Sequence, residues 1–451
     1  MSRENAETVG GMRAETIFAI ASGAGRAAIA VVRISGPATR DIVKTIAGRV
    51  PAPRVATLAT LRDGATGEAL DQGIAMFFPA PRSFTGEDCA EFHIHGGRAV
   101  VSALIAAIGR LNGVRAAEPG EFTRRALLNG KMDLAQVEGL ADLIDAETEW
   151  QRRQALRQMK GRLSQQAAIW RKALLEASAL VEAEIDFSDE GDVPEATSRR
   201  VRSLLRPVRD GLRSELNASR SGERIRDGLV IVIAGPPNAG KSTLLNALAR
   251  RDVAIVSKEA GTTRDALEVH LDLSGCPVTL IDTAGLRESA DAVEQIGVAR
   301  ALQKAQHADL ILWLSEADRP VAPDKRVGTS VIWPILTKCD LSPTDTPARE
   351  GEIYLSAETG QNMGVLLQKL ADFASSITGD GYGGLITQER HRQSFNAAAA
   401  ALTRILDNLD SPVEIIAEDL RAALFALQRL TGLVDVEDIL GEIFSRFCIG
   451  K

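Results

Sequence analysis

The stretch "GPPNAGKS", residues Gly235–Ser242, decides the fold of the middle of this chain. Two glycines enclose four residues, and a lysine and a serine follow, which is the spacing of a phosphate-binding loop. The aliphatic run "LVIVIA" before it predicts a buried strand, and "KSTLLNALARR" after it predicts a helix. The N–H groups of such a loop and the positive end of the helix bind phosphates. The motif predicts a nucleotide-binding α/β domain, and a chance glycine-rich turn is the alternative.

Three further motifs follow in the order that a GTPase requires. "AGTTRD" (Ala260–Asp265) offers a threonine for Mg²⁺ in a first switch, and "DTAG" (Asp282–Gly285) offers a second switch after the predicted strand "PVTLI". "TKCD" (Thr337–Asp340) follows the predicted strand "VIWPIL", where a guanine-reading NKxD motif belongs. Asp340 would accept two hydrogen bonds that guanine donates and adenine cannot. "SAETG" from Ser356 is expected to add a backbone contact to the base, so the motifs together predict a Ras-like GTPase.

Two positions depart from the usual GTPase pattern. Thr337 stands where NKxD has asparagine, which raises the question of whether the base pocket is looser. Leu286 follows the glycine of "DTAG", where Ras-type switches carry a glutamine that orients the attacking water. Leucine has no side-chain donor or acceptor. Either hydrolysis is slow, or another group positions the water.

The predicted nucleotide site is drawn from the loop, the two switches and the base motifs. Its GTP-binding residues are Asn238, Ala239, Gly240, Lys241, Ser242, Thr243, Ser257, Lys258, Glu259, Ala260, Gly261, Thr262, Thr263, Asp282, Thr283, Ala284, Gly285, Thr337, Lys338, Asp340, Ser356 and Ala357. Within this set Lys241 would reach the β- and γ-phosphates, and Ser242 and Thr263 would hold Mg²⁺.

Length and composition limit the classes of protein to which the chain can belong. Its 451 residues predict two to four domains, and its net charge of −7 argues against a surface that is basic throughout, although one basic face stays possible. No apolar run reaches the roughly 18 residues of a membrane helix. The N-terminus is polar, and the four cysteines form no CxxC pair, so we predict a cytoplasmic chain with neither a disulfide framework nor a zinc site.

The order of predicted elements divides the chain into an α+β region, a helical region and the α/β region. We predict a domain at 1–129, a helical domain whose two parts are 130–226 and 378–451, and an inserted nucleotide domain at 227–377. "SITGDGYGGL" (Ser376–Leu385) is predicted to be the linker back to the helices. Arginines and lysines at 151–172 and 198–226 form either a surface for RNA or simply solvated helix faces.

The motifs "GPPNAGKS", "AGTTRD", "DTAGLRE" and the terminal "FCIGK" closely resemble those of the tRNA-modification GTPase family called MnmE or TrmE. The N-terminal "VVRISG", "SFTGED" and "PGEFTRRALLNGKMDLAQVE" resemble the same family, so the resemblance covers almost the whole chain. It implies a multidomain α+β and α/β fold. The expected parts are an N-terminal folate-binding-like domain, a discontinuous α-helical domain and an inserted Ras-like P-loop GTPase domain.

The resemblance also implies that K⁺ compensates for the missing glutamine. In this family a loop asparagine and the first switch hold the ion, and the matching residues are Asn238, Ser257, Glu259 and Thr262. An asparagine that merely suits a tight turn is the alternative. Glu294 matches a family glutamate that orients the water indirectly. The alternative is that Glu294 is simply a solvated residue at the start of a helix, as glutamates in such positions more often are. The ion is also implied to bring two G domains together.

For the N-terminal domain the resemblance implies a constitutive homodimer and a site for a tetrahydrofolate derivative, either 5-formyl- or methylene-tetrahydrofolate. The matching residues are Arg33, Glu91 and Lys131, with Lys451 from the tail, and each of them alone reads as a surface charge. Cys448 is a candidate for the modification chemistry or an inert free thiol. His93 and His95 share a strand face, but no third metal ligand is in sight.

The family therefore implies a K⁺-stimulated GTPase that acts with an FAD-dependent partner enzyme of the MnmG or GidA type. Together they would add an aminomethyl or carboxymethylaminomethyl group to C5 of the wobble uridine of certain tRNAs. A ribosome-assembly regulatory GTPase is the main alternative, but it would carry an RNA-binding module in place of the folate-like domain. A folate-dependent transferase with an inactive G domain is a third reading, against which the intact Lys241, Ser242, Thr263 and Asp282 speak.

Overall fold

The computed structural model describes residues 15–23, 25–186, 194–251, 253–255, 268–282, 308–323, 331–341, 352–379, 383–434, 441, 443, 444, 447 and 450. The chain forms two compact units, one of Met1–Ala141 with Thr431–Lys451 and one of Asp142–Leu430. The mixed α+β and α/β class predicted from the sequence is confirmed.

The first unit contains the predicted α+β region. Its elements are β1 (Thr16–Ile20), β2 (Ile29–Ser35), α1 (Thr39–Ala47), β3 (Thr57–Arg62), β4 (Ala69–Phe78), β5 (Cys89–His95), α2 (Arg98–Gly109), β6 (Val114–Ala116), α3 (Glu121–Leu128) and the beginning of α4 (Leu134–Asp145). The strands form one sheet in the order β3-β4-β5-β2-β1-β6, in which only β1 and β6 run parallel.

The two faces of this sheet differ in how they are covered. On one face α1 and α2 pack on a core that includes Val32, Phe77 and Phe92, each at most 1% exposed. Alternation along the strands places the other side chains on the second face. There Phe122 of α3 covers the β1 end, whereas Leu58 of β3 is 65% exposed. The second face is therefore covered at its β1 end and exposes an apolar side chain at its β3 end.

The second unit combines helices with the nucleotide-type sheet. Its elements are α5 (Glu149–Met159), α6 (Arg162–Asp186), α7 (Pro194–Asp227), β7 (Leu229–Ala234), α8 (Lys241–Ala249), β8 (Glu268–Leu273), β9 (Cys276–Asp282), β10 (Leu310–Glu316), β11 (Val331–Thr337), β12 (Ile353–Tyr354), α9 (Met363–Thr378), α10 (Glu389–Asp407) and α11 (Val413–Thr431, whose last residue belongs to the first unit).

The second sheet has the order β12-β11-β10-β7-β9-β8 and is parallel except for β8. Buried aliphatic side chains of its strands, such as Ile231 and Leu312, pack with Leu244 of α8 and Leu366 of α9. The prediction of buried, mostly parallel strands is confirmed. The sequence prediction missed β8, although its "EVHLDL" alternates apolar and polar residues as a half-buried strand does.

The predicted linker "SITGDGYGGL" begins too early. Helix α9 continues through Thr378, whose hydroxyl donates to the Ala374 carbonyl at 2.6 Å, while its own carbonyl accepts from the Ser221 hydroxyl at 2.7 Å. Glycine ends the helix at Gly379, which has a φ of +71°. The prediction was wrong for Ser376–Thr378 because serine and threonine are poor helix formers by propensity, and tertiary contacts override that preference here.

The helices and the nucleotide-type sheet meet at the turn between β8 and β9. The backbone N–H of Trp150 donates to the Gly275 carbonyl at 3.2 Å. The side-chain amide of Gln151 donates to the Arg226 carbonyl at 2.9 Å. A Cβ on Gly275 would lie only 2.7 Å from the Trp150 ring, and the φ of Gly275 is +95°. Only glycine allows this contact without strain.

None of the helices in the described ranges is both long enough and apolar enough to cross a membrane.

The contact between Gly275 and Trp150 makes a stability prediction. Gly275→Ala should cost about 1–2 kcal/mol of backbone strain at a positive φ and a further 1–3 kcal/mol or so for the clash with the indole ring. Gly360→Ala is the matched control, because Gly360 also has a positive φ (+79°) but its added Cβ would meet only an ordinary contact at 3.8 Å. Thermal unfolding followed by circular dichroism should show the larger loss for Gly275→Ala, and equal losses would mean that the packing on Trp150 is unimportant.

Candidate nucleotide site

The phosphate-binding loop runs from the end of β7 to the start of α8. It turns through positive φ angles at Gly235 (+146°), Asn238 (+65°) and Gly240 (+85°). A Cβ on Gly235 would lie 2.1 Å from the Leu314 carbonyl oxygen of β10, so the loop passes closer to the sheet than any other residue allows. Asparagine is one of the few other residues that tolerate positive φ, which accounts for Asn238 in the turn.

Lys241 and Ser242 lie at the first turn of α8 and face the loop. The Lys241 ammonium is 8% exposed and donates to the carbonyls of Gly235 (2.9 Å) and Pro236 (2.8 Å). The Ser242 hydroxyl donates to a carboxylate oxygen of Asp282 at 2.7 Å, and Asp282 is 1% exposed at the end of β9. A hydroxyl beside a buried carboxylate is a ligand set that suits Mg²⁺, which prefers oxygen.

A cavity of about 250 Å³ lies beside the loop at the ends of β11 and β12. It is lined by Gly240, Thr243, Thr337, Lys338, Asp340, Leu341, Ser356, Ala357 and Glu358. This list contains every residue that the sequence analysis assigned to base recognition, namely Thr337, Lys338, Asp340, Ser356 and Ala357. Leu341, which is 75% exposed, was missed because it follows the motif "TKCD", and Glu358 was missed because only the backbone of "SAETG" was expected to contact the base.

Thr337 joins the base cavity to the phosphate-binding loop. Its side chain is buried, and its hydroxyl lies 2.9 Å from the Ala239 carbonyl of the loop and 3.1 Å from the Ser315 carbonyl of β10. A hydroxyl has one proton to donate, so it can bond one of these carbonyls at a time. The threonine thus makes a polar contact with the loop from the position that NKxD gives to asparagine.

Charges around the cavity are arranged by local pairs. Lys338, at a φ of +58°, donates to Glu316, and that ammonium lowers the pKa of the Glu316 carboxyl. Partial burial, together with the neighbouring Asp340 charge, raises the pKa of the Cys339 thiol, which makes it a weak nucleophile at neutral pH. Asp340 is exposed and lines the cavity, where it can accept N–H groups of a base.

The remaining predicted nucleotide-site residues lie outside the described residues. They are Ser257, Lys258, Glu259, Ala260, Gly261, Thr262, Thr263, Thr283, Ala284, Gly285 and Glu294.

A second candidate site lies on the less covered sheet face of the first unit. The Arg33 guanidinium donates from Nε (3.0 Å) and Nη2 (2.9 Å) to one oxygen of Glu91, its partner across β2 and β5. The other Glu91 oxygen lies 3.2 Å from Nε2 of His93. The Phe84 ring, missed in the sequence, lies 5.2 Å from the Arg33 guanidinium. The Phe122 ring lies 5.8 Å from the same guanidinium, so these groups form a half-buried polar cluster with two aromatic neighbours.

Lys131 lies between α3 and α4 and contacts the loop between β4 and β5 that carries Phe84. Its ammonium donates to the Pro81 carbonyl at 2.7 Å, and its side chain runs beside Gly86. The Asn129 amide holds this loop by donating to the Thr85 carbonyl at 2.7 Å. The structure therefore pairs Arg33 with Glu91 directly, and it connects Lys131 to them through the loop.

The C-terminal tail packs on the first unit. Gly450, with a φ of +98°, approaches β1 so closely that a Cβ would lie 2.0 Å from the Ile20 carbonyl oxygen. Phe444 fills the space above Gly120, where a Cβ would lie 2.7 Å from its ring. Ala19, next to Ile20, is the register partner of Arg33, so Gly450 lies near the Arg33 cluster. Cys448 and Lys451 lie outside the described residues.

The two histidines of β5 have separate partners. His93 bonds to Glu91, whereas His95 places Nδ1 2.8 Å from an Asp71 carboxylate oxygen. Backbone and side-chain bonds from His95 outweigh the effect of burial and lower the pKa of the Asp71 carboxyl. Across the residues that the structure describes, no three His, Cys, Asp or Glu side chains are grouped to hold a metal ion.

Comparison with known proteins identifies both parts of the chain. The family model "GTP-binding protein TrmE N-terminus" matches residues 16–131, and "MnmE helical domain" matches residues 134–448. The tRNA modification GTPase MnmE of Beijerinckia indica is 63% identical over 97% of this chain and 96% of its own length. The protein of that name from a Bradyrhizobium species is 52% identical over 97% and 99%, respectively.

Among solved structures, the G domain of the T. maritima FeoB iron transporter is 22% identical. The match covers 32% of this chain and 98% of the FeoB chain. Its TM-score is 0.24, which is too low to carry a structural argument.

The cavity makes a prediction about base recognition. Asp340→Asn should weaken GDP binding roughly a hundredfold, because one of two charge-assisted acceptors becomes a donor that faces the N–H groups of guanine. Glu358→Gln, which changes another carboxylate of the same cavity, should alter the Kd less than about threefold. Titration with a fluorescent GDP analogue measures both. A Glu358→Gln loss as large as that of Asp340→Asn would assign base recognition to the general charge of the cavity.

Proposed function

The chain belongs to the MnmE family of tRNA modification GTPases, and from that membership we propose a K⁺-stimulated reaction cycle that ends in a modified wobble uridine. The chain is a GTP hydrolase that acts in tRNA modification. We propose that it works with an FAD-dependent partner enzyme and adds an aminomethyl or carboxymethylaminomethyl group to uridine C5. A tetrahydrofolate derivative would supply the one-carbon unit.

The observation that carries the GTPase part is the geometry around α8. Lys241, which bonds two loop carbonyls, is within the loop that would wrap the β- and γ-phosphates, and it would exchange those carbonyls for phosphate oxygens. Ser242 and Asp282 would hold Mg²⁺, which neutralises charge that develops on the phosphates. Thr263 would be a further ligand. The guanine base would enter the cavity beside Asp340.

Leu286 leaves the attacking water without the usual glutamine, and two groups would compensate for it. We propose that Glu294 orients the water and that Asn238, Ser257, Glu259 and Thr262 hold K⁺. A cation in that place supplies positive charge to the phosphates, as an arginine finger does, and such a finger accelerates hydrolysis roughly 10³- to 10⁵-fold. The positive φ of Asn238 accounts for an amide residue in the turn even without an ion, so the side chain itself has to be tested.

The K⁺ proposal predicts a GTPase rate that depends on the cation. At equal ionic strength, the rate in K⁺ should exceed that in Na⁺ by about tenfold or more, because the proposal assigns the role of an arginine finger to K⁺. Asn238→Gly should abolish the difference. Glycine is the sharper variant, since it accepts a φ of +65°, whereas alanine would add backbone strain to the loss of the amide.

The matched measurement is the GDP affinity of Asn238→Gly, which should stay within about threefold of the original, since the loop conformation is preserved. Equal and slow rates in both salts would contradict the K⁺ proposal. They would favour a switch that awaits an external activator, as a ribosome-assembly GTPase does.

The folate part of the proposal is supported by the cluster at Arg33. Its guanidinium would meet the glutamyl carboxylates of the folate, and Glu91 would accept N–H groups of the pterin. The Phe84 ring offers an aromatic wall against which a flat pterin can stack. Lys131 and Lys451 would add positive charge, and the close approach of Gly450 to β1 supports a tail that ends near the cluster. Cys448 would be carried there with it.

The folate proposal predicts that Arg33→Gln weakens binding of 5-formyl-tetrahydrofolate to the full chain about tenfold or more, because a charge-assisted pair with carboxylate is lost. Arg110→Gln is the control, since Arg110 is an arginine of the same unit that likewise pairs with a carboxylate, Asp63. Calorimetric titration measures both, and the GTPase rate should not change in either variant. Equal affinities of the two variants would remove Arg33 from the folate site.

We further propose a homodimer through the first unit. Exposed Leu58 and its register partner Ile74, 65% and 38% exposed, give the second sheet face an apolar end of the kind that a subunit interface covers.

Action on tRNA implies a cytoplasmic location.

A further inference from the structure

Helix α7 carries a line of arginines next to its buried face. Arg199, Arg202, Arg206, Arg209 and Arg213, which we call the arginine stripe, recur at spacings of three and four residues. The last four each follow directly a buried residue of the helix, namely Val201, Leu205, Val208 and Leu212. Since side chains with this spacing lie on one helical face, the stripe forms a continuous ridge beside the packed face of α7.

The stripe is a local concentration of positive charge in an acidic chain. Residues 198–213 contain six arginines and one aspartate, a net charge of +5, whereas the whole chain has a net charge of −7. Arg202, Arg206 and Arg213 are exposed. Arg213 donates to the Thr403 hydroxyl at 3.0 Å, and Arg209 bonds to the adjacent Asp210. Among the described residues, no carboxylate lies within ion-pair distance of Arg202, Arg206 or Arg213.

Several other exposed arginines of this unit form ion pairs with carboxylates. Arg152 and Arg153 both pair with Glu149 at 2.7 Å, and Arg404 pairs with Asp419. A helix face that serves only to be solvated normally mixes charges of both signs in this way. Arg202, Arg206 and Arg213 have no such carboxylate partner among the described residues, so the charge of these three arginines is available to a partner molecule.

We propose that the arginine stripe binds the phosphate backbone of tRNA. From Arg199 to Arg213 the stripe extends about 21 Å along the helix, with one guanidinium every 5 Å or so. A regular row of like charges complements a regular polyanion, and guanidinium groups bind phosphates through paired hydrogen bonds. Such contacts hold RNA in place without reading its sequence, because base-specific recognition uses other groups. The inference rests on the proposed function in one respect, namely that the RNA bound by the stripe is tRNA.

The test compares two triple variants of the full chain. Arg202→Gln, Arg206→Gln and Arg213→Gln together remove the exposed part of the stripe. Arg152→Gln, Arg153→Gln and Arg404→Gln together remove the same charge from exposed arginines that pair with carboxylates. Binding of a fluorescent tRNA transcript with an unmodified wobble uridine is measured by anisotropy between 50 and 200 mM salt, a range over which phosphate contacts weaken strongly.

The stripe variant should raise the Kd for tRNA on the order of tenfold to a hundredfold, and the log–log salt slope should become shallower by about 2 to 3, since three phosphate contacts are lost. The control should change the slope by less than about 1. A third variant with Arg→Lys at the same stripe positions should keep the original slope because it keeps the charges. The GTPase rate in K⁺ should be the same in all variants, which also shows that they fold.

Three results would overturn the proposal. If the stripe variant and the control bind tRNA equally, the stripe is not the RNA contact. If the stripe variant keeps its tRNA affinity but no longer binds the purified FAD-dependent partner, the stripe is a protein-docking surface. If the unchanged chain does not bind tRNA at all, both direct tRNA binding by this chain and the role of the stripe in it are rejected. The GTPase and folate proposals are tested separately and would be unaffected.

Discussion

The path of the phosphate-binding loop is the constraint on which the nucleotide site depends. Three neighbouring strands hold it: Gly235 touches the Leu314 carbonyl of β10, the Ala239 carbonyl lies within reach of Thr337 in β11, and Ser242 bonds to Asp282 of β9. Because the loop is held from both sides, its carbonyls converge on the buried Lys241 ammonium. A buried charge without such partners would be strongly unfavourable. The same contacts that stabilise the loop therefore prepare it for phosphates.

Much of this site was predictable because phosphate binding imposes local rules. Glycines at tight turns, a lysine and a serine at the helix start and a carboxylate at a strand end each have a residue type that the chemistry demands. The role of Thr337 was not predictable. Its departure from asparagine suggested a looser pocket, but only the fold shows that its hydroxyl reaches the loop through strands distant in sequence. Leu341 lines the cavity from a position just after the motif "TKCD", where no residue type is prescribed.

The Arg33 cluster shows the same limit in another form. Arg33 and Glu91 could be selected by resemblance to the family, but their direct pairing depends on the register of β2 against β5, which is set by long-range sheet packing. Phe84 lies in a loop whose sequence shows only turn residues, so its place beside Arg33 follows from tertiary structure. The linker boundary failed for a related reason, because Thr378 stays helical through contacts with α7.

The helix with the arginine stripe is directly continuous with the nucleotide site. α7 ends at Asp227, Gly228 turns the chain, and β7 then leads into Gly235 of the loop. Ion pairs from Arg224 to Asp309 and from Arg226 to Asp142 hold the end of this helix on both sides. An RNA backbone bound to the stripe would thus be held at a set distance from the phosphate-binding loop.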